Sequence, residues 1–277
     1  VPNAKALTDI WLSERDAPTS RLLVAVSGAD LGEPVWSPDG RRLAFALSEM
    51  TDRDGVYVVD VDGGGPPRAV YLPRTRFPVP AIPSSWSPDG SVLLVSHLRA
   101  GDSDVMAVSM EAGAAADSLP PAKPILAGPS IQLGAVFSHD GRRVAYASNE
   151  SGKYEVYVAR WLPDGSLGPP MVVSAGGGNQ PRWGSDGASL YYVAPPSRLM
   201  SVAVGKEPGL SASTPRLAWD LGALHVGTSL LYGQYMIDLL PDGRLLAIQL
   251  GPEEGDVTRF DVVLNSLDEL RGGARRR

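Results

Sequence analysis

Five phrases of nearly identical grammar recur along the chain: VWSPDGRRLAFAL (35–47), SWSPDGSVLLVS (85–96), VFSHDGRRVAYAS (136–148), RWGSDGASLYYVA (182–194) and DLLPDGRLLAIQL (238–250). Their turn glycines, Gly40, Gly90, Gly141, Gly187 and Gly243, lie 50, 51, 46 and 56 residues apart. Self-similarity at this period, with several short strands per unit, is the signature of a β-propeller, whose blades bury their faces against their neighbours. One such unit has too little core to stand alone. The period therefore predicts a single all-β propeller domain over 1–277, built of four-stranded antiparallel blades.

Each phrase reads as the inner hairpin of a blade, at about 33–47, 83–97, 134–148, 180–194 and 235–250. In SPDG the proline presets φ for the first corner of a type I turn, aspartate suits the second, and glycine takes the left-handed position that restores pairing. A bulky residue precedes each turn (Trp36, Trp86, Phe137, Trp183, Leu239) and is expected to pack between blades. Third strands follow at GVYVVDV, DVMAVSM, YEVYVAR, RLMSVAV and RFDVVLN, and shorter fourth strands at PRAVYL, KPILA and PPMVVS. Gly/Pro-rich links such as DGGGPP and SAGGGNQP separate them. Helical period is absent apart from a turn in SLDELR, and residues 268–277 form a basic tail.

The two ends do not match the middle. Residues 8–26 read as third and fourth strands with no inner hairpin before them, whereas the last repeat shows three strands. Either they complete the last blade, giving five blades, or they are the outer half of a sixth. Two strands are left over rather than one, so six blades are expected ahead of five.

Composition narrows the function classes. Charged residues make up 20% and hydrophobic residues 43% of the chain, and no apolar run reaches the length of a bilayer span, so no membrane insertion is expected. The opening VPNAKALTDIWL has neither the basic nor the apolar region of a signal peptide, and the chain reads as a piece of a longer protein. With no cysteine, disulfides, thiolate chemistry and Cys-based zinc sites are excluded. A net charge of −6 argues against a nucleic-acid partner.

Catalytic signatures are missing. There is no G-x-S-x-G nucleophile elbow, no kinase H-R-D or D-F-G, and no phosphate-binding glycine loop in a strand-to-helix context. No residue is assigned a catalytic role. The turn aspartates (Asp39, Asp89, Asp140, Asp186, Asp242) suit local hydrogen bonding rather than calcium.

Blade topology indicates where a ligand would bind. The starts of the first strands and the loops between second and third strands lie at one end of each blade, around the channel mouth of a propeller. That end carries Glu33, Glu49, His97, Arg99, Asn149, Glu150, Asn179, Gln180 and Tyr235, with Glu49, Arg99 and Glu150 each nine residues past a turn glycine. Convergent polar groups at a concave mouth are the default ligand site, so a protein, peptide or small molecule is the expected partner and no cofactor is expected. The alternative is a metal-assisted hydrolase of phosphoesters, esters or lactones. It would hold Ca²⁺ or another divalent cation through Glu33, Glu49, Asn149, Glu150, Asn179, His97 and His225. Open blade edges could also pair two copies.

The phrases WSPDGRRLAF and VFSHDGRRVAYAS, with VYVVDVDGGGPP, resemble the repeats of TolB-like six-bladed propellers, which are related to the N-terminal propellers of prolyl-oligopeptidase-type peptidases. More narrowly, SNESGKYEVYVARW, SAGGGNQPRWGSDGASLYYVAPPSRLMSVAV, EPGLSASTPRLAW and DVVLNSLDEL resemble the C-terminal propeller of bacterial serine/threonine kinases with a TolB-like sensor region. The resemblance implies a sensor or interaction module, or a structural envelope scaffold, in a periplasmic or other extracytoplasmic setting. It supplies no catalytic residues. SHDG, GSDG and LPDG depart from SPDG, and the N-terminal blade is incomplete.

Overall fold

In a computed structural model of the chain, residues 8–13, 20–63, 65–73, 80–110, 118–205, 209–223, 237–239, 245–248 and 262–265 are described. Their regular elements are all β-strands, and no helix among them is long and apolar enough to cross a membrane. The SLDELR turn and the basic tail lie outside the described residues.

The chain divides into two compact units, Val1–Ala135 and Val136–Arg277. The first opens with a two-stranded antiparallel sheet, β1 (Ile10–Ser13) and β2 (Ser20–Val24). A four-stranded sheet follows in chain order: β3 (Asp30–Trp36), β4 (Arg42–Ser48), β5 (Gly55–Asp60) and β6 (Arg68–Tyr71). The next is β7 (Ala81–Trp86), β8 (Val92–Leu98), β9 (Ser103–Ser109) and β10 (Ala122–Leu126). The unit boundary falls within β11 (Gln132–Phe137), which leads the third sheet with β12 (Arg143–Ser148), β13 (Glu155–Arg160) and β14 (Met171–Val172). The fourth comprises β15 (Asn179–Trp183), β16 (Ser189–Ala194), β17 (Arg198–Ala203) and β18 (Arg216–Asp220). Three strands close the list of elements: β19 (Ile237–Leu239), β20 (Leu245–Ile248) and β21 (Val262–Asn265).

The turns show why the phrase repeats. Gly40 sits at φ 69°, and its amide donates to the Ser37 carbonyl at 2.9 Å, closing a type I turn with a left-handed glycine. Ser37 Oγ donates to Asp39 at 2.6 Å and accepts from the Arg42 amide at 2.9 Å, while Asp39 also accepts from the Arg41 amide. Ser87 with Asp89 and Ser138 with Asp140 repeat the arrangement. In the fourth turn glycine replaces the serine, and Asp186 instead accepts from the amide and hydroxyl of Ser189. The four turn aspartates among the described residues are thus committed to local bonds, and Asp242 lies outside them.

These bonds predict a fold that loses stability in acid. The Ser37 hydroxyl holds the Asp39 carboxyl below its usual range, and the Ser87 hydroxyl does the same for Asp89. Partial burial opposes the effect at Asp140, but Ser138, the Arg142 amide and Arg143 outweigh it. A carboxyl depressed in the folded state contributes stability above its unfolded pKa of about 3.9, and loses it as pH falls through the lower folded value. Tm should therefore hold between pH 7 and 5 and drop below pH 4. Replacing all three aspartates with asparagine should flatten that drop in melts recorded at each pH.

Packing joins each sheet to the next within a unit. Ile10, Val24 and Ala29 pack with Leu31, Leu43, Phe45 and Leu47 on one face of the first full sheet. On its other face, Ala44, Val56, Val58 and Val70 meet Ala81, Trp86, Leu93 and Val95 of the second. In the second unit, Val136, Ala145, Val156 and Val158 meet Trp183, Leu190, Tyr192 and Val202. Two tryptophans are clasped in the same way. Trp86 Nε1 donates to the Val35 carbonyl at 3.2 Å, with the Arg42 guanidinium 4.7 Å above its ring. Trp183 Nε1 donates to the Val136 carbonyl at 3.2 Å, with Arg143 at 4.8 Å. Each is an amphipathic indole satisfied at its N–H and faced by a cation.

Candidate functional site

The starts of the first strands are bulged. Register shifts fall between Gly32 and Val35 in β3, Pro83 and Ser85 in β7, and Asn179 and Arg182 in β15. Seven residues before their turn glycines, Glu33 (φ 51°), Gly134 (φ 62°) and Gln180 (φ 50°) adopt the left-handed conformation. Pro83, whose ring forbids positive φ, holds that place in the second sheet. For glutamate and glutamine this backbone is strained by about 1–3 kcal/mol. Bulges of this kind re-aim side chains and are frequent beside binding sites.

In the first unit, Glu33 is half-buried on its bulge. Glu49 is engaged by Arg53 at 3.2 Å, in a loop whose Glu49 and Thr51 amides both donate to Asp54. His97, near the end of β8, pairs through Nδ1 with the Tyr71 hydroxyl at 3.0 Å, the two rings meeting edge to face. Its Nε2 is buried without a partner. Burial lowers the His97 pKa, helped by the Arg99 charge, and the imidazole is neutral near pH 7. Burial also pushes the Tyr71 phenol up to about 12. Arg99 is held by two carboxylates, Asp102 at 2.7 Å and Asp104 at 2.8 Å, which raise its pKa further.

In the second unit, Asn149 is half-buried, and its carbonyl accepts from the Gly152 amide at 2.9 Å. Glu150 is exposed, with its amide donating to Ser148 Oγ at 3.2 Å. Gln180 is buried at its bulge, and beside it Asn179 Oδ1 is buried without a partner. Tyr235 and His225 lie outside the described residues. Within the units, the geometry brings His97 together with Arg99, and Asn179 with Gln180.

Sequence reasoning missed Tyr71, Asp102, Asp104 and Glu155. Tyr71 ends β6 and meets His97 only because consecutive sheets stack. Glu155 accepts from Ser174 Oγ, the Gly177 amide at 3.1 Å and Lys153 at 2.9 Å. Burial works against its charge, but these bonds prevail and its pKa is lowered. Among the described residues, no group of three or more His, Asp or Glu side chains is placed to hold a metal ion.

Comparison with known proteins points to fold more than to chemistry. No family model matches the chain. Over 72 residues, 26% of its length, it is 39% identical to an uncharacterised peptidase, YuxL, of Bacillus subtilis, of which this stretch covers 10%. TolB from Acinetobacter baumannii superposes with a TM-score of 0.58 at 18% identity, over 87% of this chain and 54% of TolB. A puromycin-hydrolysing peptidase of Mycobacterium tuberculosis gives 0.58 at 18%, over 91% of this chain and 40% of the peptidase. The β-propeller domain of Cps50 (Swd1) from Myceliophteria thermophila gives 0.56 at 12% identity, over 82% of this chain and 68% of that domain. The chain thus spans about half of TolB and less of the peptidases. With its all-β, four-stranded antiparallel sheets, it has the fold of a TolB-like β-propeller.

Proposed function

We propose that the chain is a non-catalytic binding module of a longer protein. It recognises a protein, peptide or small molecule through the blade ends that carry the first-strand starts and the second-to-third-strand loops. The observation that carries this reading is the pair of buried, unpartnered polar atoms there, His97 Nε2 in one unit and Asn179 Oδ1 in the other. Leaving such an atom unpaired costs about 1–3 kcal/mol, and native proteins keep few of them. Ligand groups are their natural partners.

The chemistry at His97 narrows the ligand. With the phenol protonated and the imidazole neutral, we assign Tyr71 as donor to Nδ1, which leaves Nε2–H as a donor. The nearby Arg99 is outnumbered by Asp102 and Asp104, so a neutral acceptor such as an amide carbonyl suits the place better than a carboxylate. A divalent cation would need a ring lone pair at Nε2, which an Nε2–H does not offer. The resemblance to kinase-linked propellers supports a sensor role in a receptor-like protein, and an extracytoplasmic setting.

A thermal-shift screen of peptides and metabolites tests this, run in EDTA and again with Ca²⁺. A ligand that binds only the folded state raises Tm by mass action. Hits on the wild type in EDTA should vanish in one of two variants, His97→Phe for a ligand held by the first unit or Asn179→Leu for one held by the second. Asn179→Leu itself should leave stability within about 0.5 kcal/mol of wild type or raise it, because it removes an unpaired acceptor. Hits that survive both substitutions would remove these residues from ligand binding. Ca²⁺-dependent turnover of esters or phosphoesters would replace this reading with the hydrolase.

A further inference from the structure

The aromatic residue four places before the turn glycine is closed off in three sheets and open in one. Trp86, Phe137 and Trp183 are 5%, 7% and 6% exposed, whereas Trp36 is 47% exposed. Two residues earlier on the same face, Ser84, Ala135 and Pro181 are buried and Pro34 is exposed. One face of β3 therefore lacks the cover that its counterparts have.

The clasps at Trp86 and Trp183 show what that cover is made of. In both, the preceding hairpin supplies a carbonyl to the indole N–H and an arginine to the ring face. Arg42 and Arg143 are each the second residue after a turn glycine. Where the next first strand carries Phe137 or Leu239 instead, that place is held by Val92 or Ser189. Tryptophan and arginine go together across the joint. Trp36 makes no such bond among the described residues.

A second observation identifies what lies ahead of β3. Thr8 Oγ1 donates to the Leu31 carbonyl at 2.8 Å and accepts from the Leu31 amide at 2.7 Å. Ser103, the first residue of the third strand β9, brackets Gln132 in the same way, at 2.7 and 2.9 Å. Leu31 and Gln132 both stand nine residues before a turn glycine. By this equivalence β1 and β2 take the places of third and fourth strands in a sheet ahead of β3. Among the described residues β1 pairs only with β2, and none of them pairs with its other edge.

We infer that the Trp36 face and the edge of β1 away from β2 together form a docking site for a β-hairpin of the repeat's own kind, carrying an arginine second after its turn glycine, and supplied by polypeptide ahead of β1 in the same chain. The chain's own turns have no such arginine to spare. Arg42 and Arg143 are engaged, and Val92, Ser189 and Leu245 hold the other places. Covalent supply follows from the complete sheets, in which the second strand runs into the third through a short loop, as from Ser48 to Gly55 or from Leu98 to Ser103.

The test joins a copy of residues 132–148 ahead of the full chain. This segment delivers Arg143 and the Val136 carbonyl to Trp183, and it contains no tryptophan. The Trp36 signal is read as the difference between wild type and Trp36→Phe in emission wavelength and acrylamide quenching. Trp36 emission should shift to shorter wavelength, its quenching should fall toward that of a buried indole, and Tm should rise. Changing the copied arginine to alanine should remove most of that shift. A second graft, copied from residues 33–48 with its tryptophan replaced by phenylalanine, guards against a poor fit of the first. Failure of both grafts overturns the inference. So does equal protection by the free 132–148 peptide, which would place the donor on a separate chain. A concentration-dependent dimer of the unmodified chain that already shields Trp36 would also overturn it, by making a second copy the occupant.

Discussion

Arg143→Ala should lower the unfolding free energy by about 3–4 kcal/mol, read from urea denaturation. The side chain is 5% exposed and donates to three backbone carbonyls: Gly187 at 2.8 Å, Val204 at 3.3 Å and Gly205 at 3.4 Å. It also meets Asp140 at 3.3 Å and lies over the Trp183 ring. Hydrogen bonds to a charged group are worth about 1.5–3 kcal/mol each and a desolvated cation–π contact about 2, but bonds from one guanidinium do not add, so the sum is an upper bound. Arg143→Lys should recover little, because a single ammonium cannot reproduce the planar fork. Arg42 is the internal control. It is half-buried with one carbonyl bond, to Gly90 at 3.3 Å, and Arg42→Ala should cost about 1–2 kcal/mol. Equal losses for the two arginines would mean that the ring contact alone matters.

Gly55→Ala should destabilise by about 3 kcal/mol and disturb the His97 site at the same time. A methyl group at Gly55 would overlap the Tyr71 carbonyl oxygen and lie 2.8 Å from a Leu72 methyl. The first obstacle is backbone, which cannot rotate away. The clash falls where β5 and β6 shift register, between Val56 and Tyr57, so β6 must move outward to admit the methyl. Tyr71 would move with it and take the hydroxyl away from His97 Nδ1. The substitution should therefore raise the His97 pKa toward its ordinary value of about 6.5, by admitting water. Imidazole proton shifts in an NMR titration would show this, and an unchanged titration would separate Gly55 from the site.

How much was legible beforehand depended on how local the physics was. Ser37, Pro38, Asp39 and Gly40 specify their turn through neighbours in sequence, so the hairpins, the repeat and the fold could be read directly. The left-handed residues Glu33 and Gln180 could not, because neither residue type announces positive φ; Gly134 in the same register was the one hint. Tyr71 and His97 are 26 residues apart and meet only through sheet stacking. Arg42 and Arg143 look like solvated turn residues until the next sheet covers them. Trp36 was expected to be packed like its counterparts, and its exposure reflects what adjoins it rather than its own sequence.

The guanidinium–indole joints give the repeat a reading order. Its units look interchangeable as text, but a hairpin with Arg42 or Arg143 just past its turn matches a successor whose first strand ends in tryptophan, and one bearing Val92 or Ser189 does not. Shuffling whole blades would leave every sheet intact and still leave guanidinium groups facing Phe137 or Leu239. The address of each blade is written at its boundary with the next, and an engineer who permutes this propeller would have to move the joints in pairs.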